Sequence, residues 1–529
     1  MNYECLSFAE VPGTSRLLLD YLSNAPALAS FYAPPSVLDR PIAQHDSVHR
    51  EQLCDTLAEQ NRRFGASAAT LENIERIRHG SNVIVTGQQA GILGGPVLSL
   101  LKAVSAIKLA SDHDAVPVFW IATTDHDLAE IDHARLLCNG KLVRIQAPLE
   151  AQTGSIVSRS VLGSDLAAEV ERCMPEADPE ALALIRECYH LGERTGIAFA
   201  RLWAKLFSAY GLVIIDPDDA SLHAIASPLY AAAASNAVQL NDKLRERDKV
   251  IEHAGYPEQV KVTESSSLLF VDVEGVRTPV RIVRSLNGEV ELRAGHQRWA
   301  SAAEFAGWVG EHSAAVTPNA LLRPVVQDYL LPTLAYIGGP AEIAYFAQSN
   351  VLYQELLGGS TPILHRASAT LVEPRIAHLL DKYHVDLKQI LSMHSQVDVA
   401  LTLGCRALPQ TVTDDFASVR TRLRDELDSL KGSIIRTDAT LEGAVNTALS
   451  KIEYQLRKLQ SRTASALVRR EGEISRHAEM LWNNLHPEGQ LQERELSSAY
   501  FLLRQGTGFV DLLVSRLNAH CPGHQVLGC

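Results

Sequence analysis

The sequence lacks an uninterrupted apolar segment of about 18 residues, the length that spans a bilayer, and this excludes a transmembrane helix. Its N-terminal segment, MNYECLSFAEVPGTSRLLLD, has no basic stretch followed by an apolar one. No secretory signal is therefore predicted, and the cytoplasm is the expected location. The formal net charge of −13 argues against nucleic acid or an anionic membrane as the main partner.

Cysteine pairs with metal-site or redox spacing are also lacking. The 8 cysteines are scattered and form no C-x-x-C pair, so we expect free thiols that serve mainly as packing residues. No metal site is predicted. The chain has no Gly-Lys-Ser/Thr of a Walker A loop, and it does not match G-x-G-x-x-G cleanly.

One glycine-rich segment stands out among what is present. The β-branched run Val83 to Val85 leads into TGQQAG (Thr86 to Gly91), then into Gly94-Gly95-Pro96 and a long amphipathic helix pattern. A strand, a glycine loop and a helix together form an anion pocket in many α/β proteins, because exposed backbone N–H groups and the helix dipole favour negative charge. A purely structural glycine turn is the alternative.

A second buried strand, Val116 to Ala122, ends in Thr123-Thr124-Asp125-His126-Asp127. Two strands joined by one helix form a βαβ unit, which binds ligands outside the carboxyl ends of its strands. Asp125, His126 and Asp127 could orient an amine, relay a proton or hold a metal. The alternative is an Asp helix cap beside a surface histidine.

Further strands follow the same plan. The strand Gly211 to Ile215 is followed by acidic residues. A hairpin pattern around Glu274-Gly275 indicates a small β insertion over residues 255–312. The strand Leu334 to Ile337 then leads into a second Gly-Gly-Pro loop. Two such loops in one sheet would line one crevice. Ile363 to Arg366 is a further short strand, and Arg366 beside Ser368 and Thr370 suits a phosphate or carboxylate; a salt bridge with caps is the alternative.

Residues 376–489 carry leucine, isoleucine and valine at largely 3–4 spacing, with no proline between Pro409 and Pro487. This pattern predicts long antiparallel helices of a coiled coil. The predicted fold is α/β: a parallel-sheet core in residues 1–375 and 490–529, and a helical coiled-coil domain in 376–489.

Seven strings spread over the chain resemble one family, the bacillithiol biosynthesis cysteine-adding enzymes (BshC). They are TGQQAG (86–91), VFWIA with DHD (118–127), RPVVQ (323–327), YLLP (329–332), GPAEIAY (339–345), RASATLVEP (366–374) and LQER (491–494). The resemblance implies a Rossmann-like core related to class I nucleotidyl-transferring enzymes and a coiled coil that forms a homodimer. It also implies a ligase that adds cysteine to glucosaminyl-malate.

The implied reaction forms an amide, which requires an activated carboxylate. ATP or another nucleotide is the expected cosubstrate, and whether Mg²⁺ takes part is left open. The expected roles are anion binding by Gly87, Gln88, Gln89, Gly91 and Gly339; amine orientation and proton transfer by Asp125, His126 and Asp127; charge stabilisation by Arg366, Ser368 and Thr370; and lining of the crevice by Gln327, Tyr329 and Glu342.

Two other functions stay open at this point. One is a nucleotidyltransferase on the same core that releases pyrophosphate without forming an amide. The other is a helical scaffold whose core binds a nucleotide without catalysis.

Overall fold

The computed structural model describes residues 4–34, 47–284 and 289–529. The chain divides into two units: a core unit of Met1–Cys138, Val143–Thr370 and Glu493–Leu527, and a helical unit of Asn139–Leu142, Leu371–Gln492 and Gly528–Cys529. In the described ranges no helix is both long and apolar enough to cross a membrane.

The strands of the described residues are β1 (Glu4–Leu6), β2 (Val83–Gln88), β3 (Val116–Ile121), β4 (His133–Cys138), β5 (Lys141–Gln146), β6 (Leu149–Glu150), β7 (Val161–Leu162), β8 (Val213–Ile215), β9 (Ser266–Val273), β10 (Val276–Arg284), β11 (Val290–Ala294), β12 (Gln297–Trp299), β13 (Val316–Pro318), β14 (Thr333–Gly338), β15 (Ile363–His365), β16 (Ser368–Val372) and β17 (His524–Gly528).

The α-helices are α1 (Arg16–Leu22), α2 (Ser47–Phe64), α3 (Ala68–Arg78), α4 (Val97–Asp112), α5 (Leu166–Cys173), α6 (Pro179–Cys188), α7 (Thr195–Leu206), α8 (Ala220–Ser235), α9 (Ala237–His253), α10 (Ala302–Glu311), α11 (Arg323–Leu330), α12 (Pro340–Leu357), α13 (Pro374–Tyr383), α14 (Leu387–Leu391), α15 (Gln396–Arg406), α16 (Gln410–Thr437), α17 (Glu442–Arg470), α18 (Gly472–Leu485), α19 (Gln492–Glu495), α20 (Ser498–Gln505) and α21 (Phe509–Arg516).

A five-stranded parallel sheet forms the centre of the core unit, in the order β15-β14-β2-β3-β8. Its strands are apolar and almost completely buried, as expected for a parallel sheet covered on both faces. The chain passes from β2 through α4 to β3 on one side, and from β14 through α12 to β15 on the other. The crossovers therefore diverge between β2 and β14, and this is the topological switch point where such sheets bind ligands. The α/β core predicted from the sequence is confirmed.

Helix α4 differs from its prediction. The sequence pattern indicated an amphipathic helix, but nearly every side chain from Val97 to Ala110 is buried, Lys102 included. The helix is covered by the sheet on one side and by other helices of the core unit on the other, so its few polar residues must find partners inside the protein.

The predicted insertion forms an antiparallel sheet in the order β12-β11-β10-β9-β13, with α10 between β12 and β13 in the chain. Its last strand, β13, lies just beyond the predicted bound at residue 312. Its β9–β10 hairpin turns at Glu274 (φ 54°) and Gly275 (φ 85°). Two successive positive φ angles match a tight hairpin turn, which explains the glycine at this position.

Cys54, Cys188 and Cys405 are free thiols, as expected, but four other cysteines depart from that expectation. The structure joins Cys5 to Cys521 and Cys138 to Cys173 as disulfides, although the members of each pair are far apart in sequence. The first pair lies beside the antiparallel pairing of β1 with β17. Spacing along the chain could not reveal these pairs, because the fold brings their members together.

The helical unit contains the predicted antiparallel pair, α16 and α17. Ion pairs join Arg424 to Glu453 and Lys431 to Glu442, a register in which the two helices run in opposite directions. Helix α16 buries no residue completely. Leu430, Leu441, Tyr454 and Leu459 are 43–55% exposed, so this helix pair keeps an apolar surface in the monomer.

Candidate functional site

A cavity of about 730 Å³ opens at the switch point of the parallel sheet. Its walls are the ends of β2 and β3, the end of β14 with the start of α12, and the inner face of β9 and β10. The two glycine loops predicted to line one crevice thus contribute Gly87 and Gly339 to the same cavity.

The end of β2 lies very close to β3. A Cβ atom on Gly87 would stand 2.7 Å from the carbonyl oxygen of Trp120, so this position accepts no side chain without moving backbone. Gln88 and Gln89 follow and line the cavity. Gln89 donates from Nε2 to Asp125 and to Glu130, which connects the ends of the two strands.

Lys102 holds the floor of the cavity together. Its ammonium group donates to the carbonyl of Gly87 (2.8 Å) and to Oε1 of Gln88 (2.9 Å), and it lies 2.5 Å from Oε2 of Glu342. The side chains of Lys102 and Glu342 are only 4% and 15% exposed. This ion pair connects the ends of β2 and β14 across the switch point.

Glu342 also caps helix α12. Its carboxylate accepts the N–H of Gly339 (2.7 Å) and the hydroxyl of Tyr336 (2.5 Å). Burial by itself would raise the pKa of Glu342, but Lys102 and these donors together lower it, so the carboxylate stays ionised. Glu342 is therefore both a cavity residue, as the sequence suggested, and a structural cap.

Arg323, at the start of α11, is a half-buried cation to which the sequence gave no role. It donates to the hydroxyl of Tyr345 (2.7 Å) and to Oε1 of Gln327 (3.1 Å). Gln327 is fully buried behind Arg323 and lies outside the cavity lining. Tyr329 also lies outside the lining, with its ring against His49.

The three residues of the loop after β3 differ in position. The Asp125 side chain lines the cavity and is 36% exposed. His126 lies at its edge, where Nδ1 is 3.0 Å from Nη1 of Arg277. Asp127 instead caps a short 3-10 helix, its carboxylate accepting the N–H of Ala129.

Arg366 lines the cavity from β15–β16 and is paired with buried Glu493 at 2.5 Å. Ser368 donates to the same carboxylate and bonds to Nδ1 of His524 at 2.7 Å, and Thr370 bonds to Nε2 of that ring at 2.8 Å. Burial would raise the pKa of Glu493, but Arg366 and the other donors lower it to about 2. The two hydroxyls thus lie behind Arg366 and support it, outside the cavity lining.

Gly91 belongs to a part of the first glycine loop that faces away from the cavity. It is buried, and a Cβ on it would stand 2.9 Å from Cα of Gly95. The adjoining start of α4 is covered by the segment 496–498: the N–H of Val97 donates to Leu496, and the N–H of Ser498 donates to Gly95. This helix end therefore lies under another segment of the chain, whereas the start of α12, capped by its own Glu342, opens on the cavity.

Basic side chains outnumber acidic ones around the cavity, in contrast to the acidic chain as a whole. The basic residues are Lys102, Lys261, Arg277, Arg281, Arg323, Arg366 and Arg494; the acidic ones are Asp125, Glu130 and Glu342. Such a wall favours an anionic ligand. Among the described residues no cluster of three or more His, Cys, Asp or Glu side chains is arranged to hold a metal ion.

Most of these cations were given no role from the sequence: Arg323 and Arg494 lie in the quoted family strings RPVVQ and LQER, whereas Lys102, Lys261, Arg277 and Arg281 follow no motif. Lys102 carried one usable signal: it is a lone charge among apolar residues over Val97 to Ile107. Arg277 carried no such signal in the sequence, since a charged residue in a short strand is common.

Comparison with known proteins supplies the family. Residues 1–367 match the family model of the bacillithiol biosynthesis BshC N-terminal Rossmann-like domain, and residues 369–529 match that of the BshC C-terminal coiled-coil domain. The chain belongs to the BshC family. The expected resemblance is thereby confirmed over both domains.

Relatives in this family match along their full length. A protein of Koribacter versatilis is 39% identical over 542 residues, covering 99% of each chain, and one of Solibacter usitatus is 31% identical, covering 100% of each. A protein of Salinibacter ruber is 30% identical, covering 97% of this chain and 96% of its own. All three carry the name "Putative cysteine ligase BshC".

Proposed function

We propose that this BshC-family chain is a cytoplasmic cysteine ligase of bacillithiol biosynthesis that joins cysteine to glucosaminyl-malate through an amide bond. The observation that carries the proposal is the basic cavity at the switch point of the sheet, together with the name of the full-length relatives. Both proposed substrates carry carboxylates, and cationic side chains recognise carboxylates well.

An amide does not form from a free carboxylate and an amine in water without activation. ATP or another nucleotide, with Mg²⁺ where the nucleotide requires it, would activate the cysteine carboxylate. The start of α12 is assigned to its phosphates, since Gly339 has no side chain and a Cβ there would stand 3.6 Å from Nε of Arg366; Oε2 of Glu342 is 3.5 Å from the same point, and its charge is paired with Lys102. The helix dipole and the guanidinium would both favour the anion.

The amine side of the reaction is assigned to the loop after β3. Asp125 lines the same cavity as the start of α12, so its carboxylate can orient an amine and take its proton. Gln89 fixes this carboxylate through Oδ2 at 3.3 Å. In this assignment the start of α12 binds the nucleotide, and the loop after β3 orients the amine and takes its proton.

The test is amide formation by the purified chain with cysteine, glucosaminyl-malate and ATP, measured by thiol derivatisation and mass spectrometry. Gly339→Ala should weaken nucleotide binding, measured by calorimetry, because the added methyl occupies the anion position. Gly307→Ala is the matched control, since a Cβ there meets no atom within 4 Å.

Three outcomes contradict the proposal. Release of pyrophosphate without an amide would favour a nucleotidyltransferase, and nucleotide binding without any turnover would favour a scaffold. Equal nucleotide affinity in Gly339→Ala and Gly307→Ala would show that the start of α12 does not bind the nucleotide. Release of phosphate or of pyrophosphate together with the amide would distinguish an acyl phosphate from an acyl-adenylate.

We also propose that the chain forms a homodimer through α16 and α17. The support is the apolar surface that these helices leave exposed, with Leu430 at 52%, Tyr454 at 55% and Leu459 at 54%. Packing these side chains against a second copy would bury their apolar surface, and each Å² removed from water would stabilise the dimer by about 25 cal/mol.

A further inference from the structure

Arg277 is a buried cation of the cavity wall that several neighbours hold in place. Its side chain is 8% exposed and lies over the ring of Phe270, 3.8 Å from the ring centre. Nε donates to the hydroxyl of Thr317 (3.0 Å) and Nη2 to the carbonyl of Pro318 (2.8 Å). Its neighbours on β9 and β13 thus fix the direction of the remaining nitrogen, Nη1.

That remaining nitrogen faces His126 and lies 3.8 Å from Oδ1 of Asp125. Nη1 of Arg277 lies 3.0 Å from Nδ1 of His126, within ordinary hydrogen-bond range. Burial lowers the pKa of Arg277 to about 10, so the guanidinium is still charged at neutral pH. A guanidinium only donates, and therefore Nδ1 must be the acceptor and carry no proton.

The alternative, a proton on Nδ1 donated to Asp125, fits the distances less well. Nδ1 is 3.4 Å from Oδ1 of Asp125, beyond the usual range, and that oxygen already accepts the backbone N–H of His126 at 2.7 Å. An N–H on Nδ1 would also face the N–H of Arg277. The lone pair of neutral His126 is thus engaged by Arg277, and its proton sits on Nε2.

We infer that Arg277 is a positioning residue that holds His126 in the Nε2–H form as a hydrogen-bond donor, which leaves Asp125 as the group that takes the amine proton. This assignment rests on the proposed function and departs from the proton-accepting role that the sequence suggested for His126. It also agrees with position, since Asp125 lines the cavity and His126 is outside its lining.

The assigned step balances as follows. The substrate ammonium transfers one proton to the Asp125 carboxylate, and the freed nitrogen lone pair attacks the carboxyl carbon of the activated cysteine. The C–N bond forms, and the bond from that carbon to the nucleotide-derived oxygen breaks with its electron pair. After N–C bond formation a second proton leaves the nitrogen to solvent, and the amide is complete.

The first experiment measures the tautomer directly. In ¹⁵N-histidine-labelled full-length protein at about pH 8, where an ordinary imidazole is neutral, the ring signals of His126 are assigned by their loss in His126→Gln. We expect Nδ1 to show the shift of an unprotonated nitrogen and Nε2 that of an N–H. Arg277→Met should abolish this preference, whereas Arg284→Met, on the same strand but paired with Asp242, should keep it.

The second experiment measures amide formation. Asp125→Asn should lower kcat by about 10²–10⁴-fold, the range for losing a positioned base. His126→Gln, whose amide can donate in place of Nε2–H, should retain much more activity than His126→Ala. Arg277→Met should lower kcat with little change in the KM for cysteine.

Opposite results overturn the inference. A proton found on Nδ1 in the unaltered protein, or equal loss in His126→Gln and His126→Ala with an active Asp125→Asn, would restore His126 as the base. If the unaltered chain forms no amide, the proposed function is wrong. The NMR measurement then still shows whether Arg277 holds His126 in the Nε2–H form.

Discussion

Removing the ammonium of Lys102 should cost the core unit far more stability than an ordinary lysine substitution. Lys102→Met keeps most of the side-chain volume but leaves the Glu342 carboxylate buried without its counter-charge. Both side chains are at least 85% buried. Loss of one partner of a buried pair costs about 3–5 kcal/mol.

Two hydrogen bonds limit this loss. Glu342 keeps the donors Gly339 N–H and Tyr336 hydroxyl in the variant, so we expect the lower half of the range. In the double variant Lys102→Met/Glu342→Gln, the glutamine oxygen can accept the same donors without a buried charge. The double variant should therefore be more stable than Lys102→Met, and with Glu342→Gln measured as well the coupling energy of the pair should be about 1–3 kcal/mol.

The assay is urea unfolding followed by tryptophan fluorescence, with Lys108→Met as the control. Lys108 lies on the same helix, is half-buried and should change the unfolding free energy by less than about 1 kcal/mol. A Lys102→Met variant as stable as this control would refute the reasoning, and so would a double variant less stable than Lys102→Met.

Three further predictions follow from the same structure. Gly91→Val should lower the melting temperature without a specific loss of anion affinity, because its Cβ would stand 2.9 Å from Cα of Gly95; a stable variant with weakened binding would contradict this. The pKa of Glu493, lowered from 4.5 to about 2, should contribute about 3 kcal/mol of stability above pH 4.5 that is lost as the pH falls toward 2. Acid titration of the unfolding free energy should show this loss, and Glu493→Gln should flatten it. Deleting residues 414–484 should leave a soluble monomeric core, and a dimer seen by light scattering would contradict the assignment of the interface.

The sequence identified the parallel strands because each combines a β-branched apolar run with a glycine or polar stop. The prediction of β2 and β14 came from the runs Val83 to Val85 and Leu334 to Ile337. The glycines after each run predicted two loops that line one crevice, and both loops contribute residues to the cavity. These signals are local, so they need no knowledge of what the strands contact.

Contacts between distant segments could not be predicted in this way. Ser368 and Thr370 were expected to bind an anion, but the structure directs them at Glu493 and His524, more than 120 residues further on. Arg277 reaches His126 only because the insertion packs over the loop after β3. An arginine or a hydroxyl in a sequence does not reveal whether its partner is a ligand or another side chain.

The cover that residues 496–498 place over the start of α4 has a consequence for synthesis. The carbonyl of Gly95 and the N–H of Val97 receive partners encoded about four hundred residues later, after the segment Leu371–Gln492 of the helical unit has been made. A nascent chain that still lacks this segment leaves those backbone groups to water and part of α4 exposed. The cover over the start of α4 is therefore completed late in synthesis, and translation that stops within the coiled coil yields a chain with part of its core exposed.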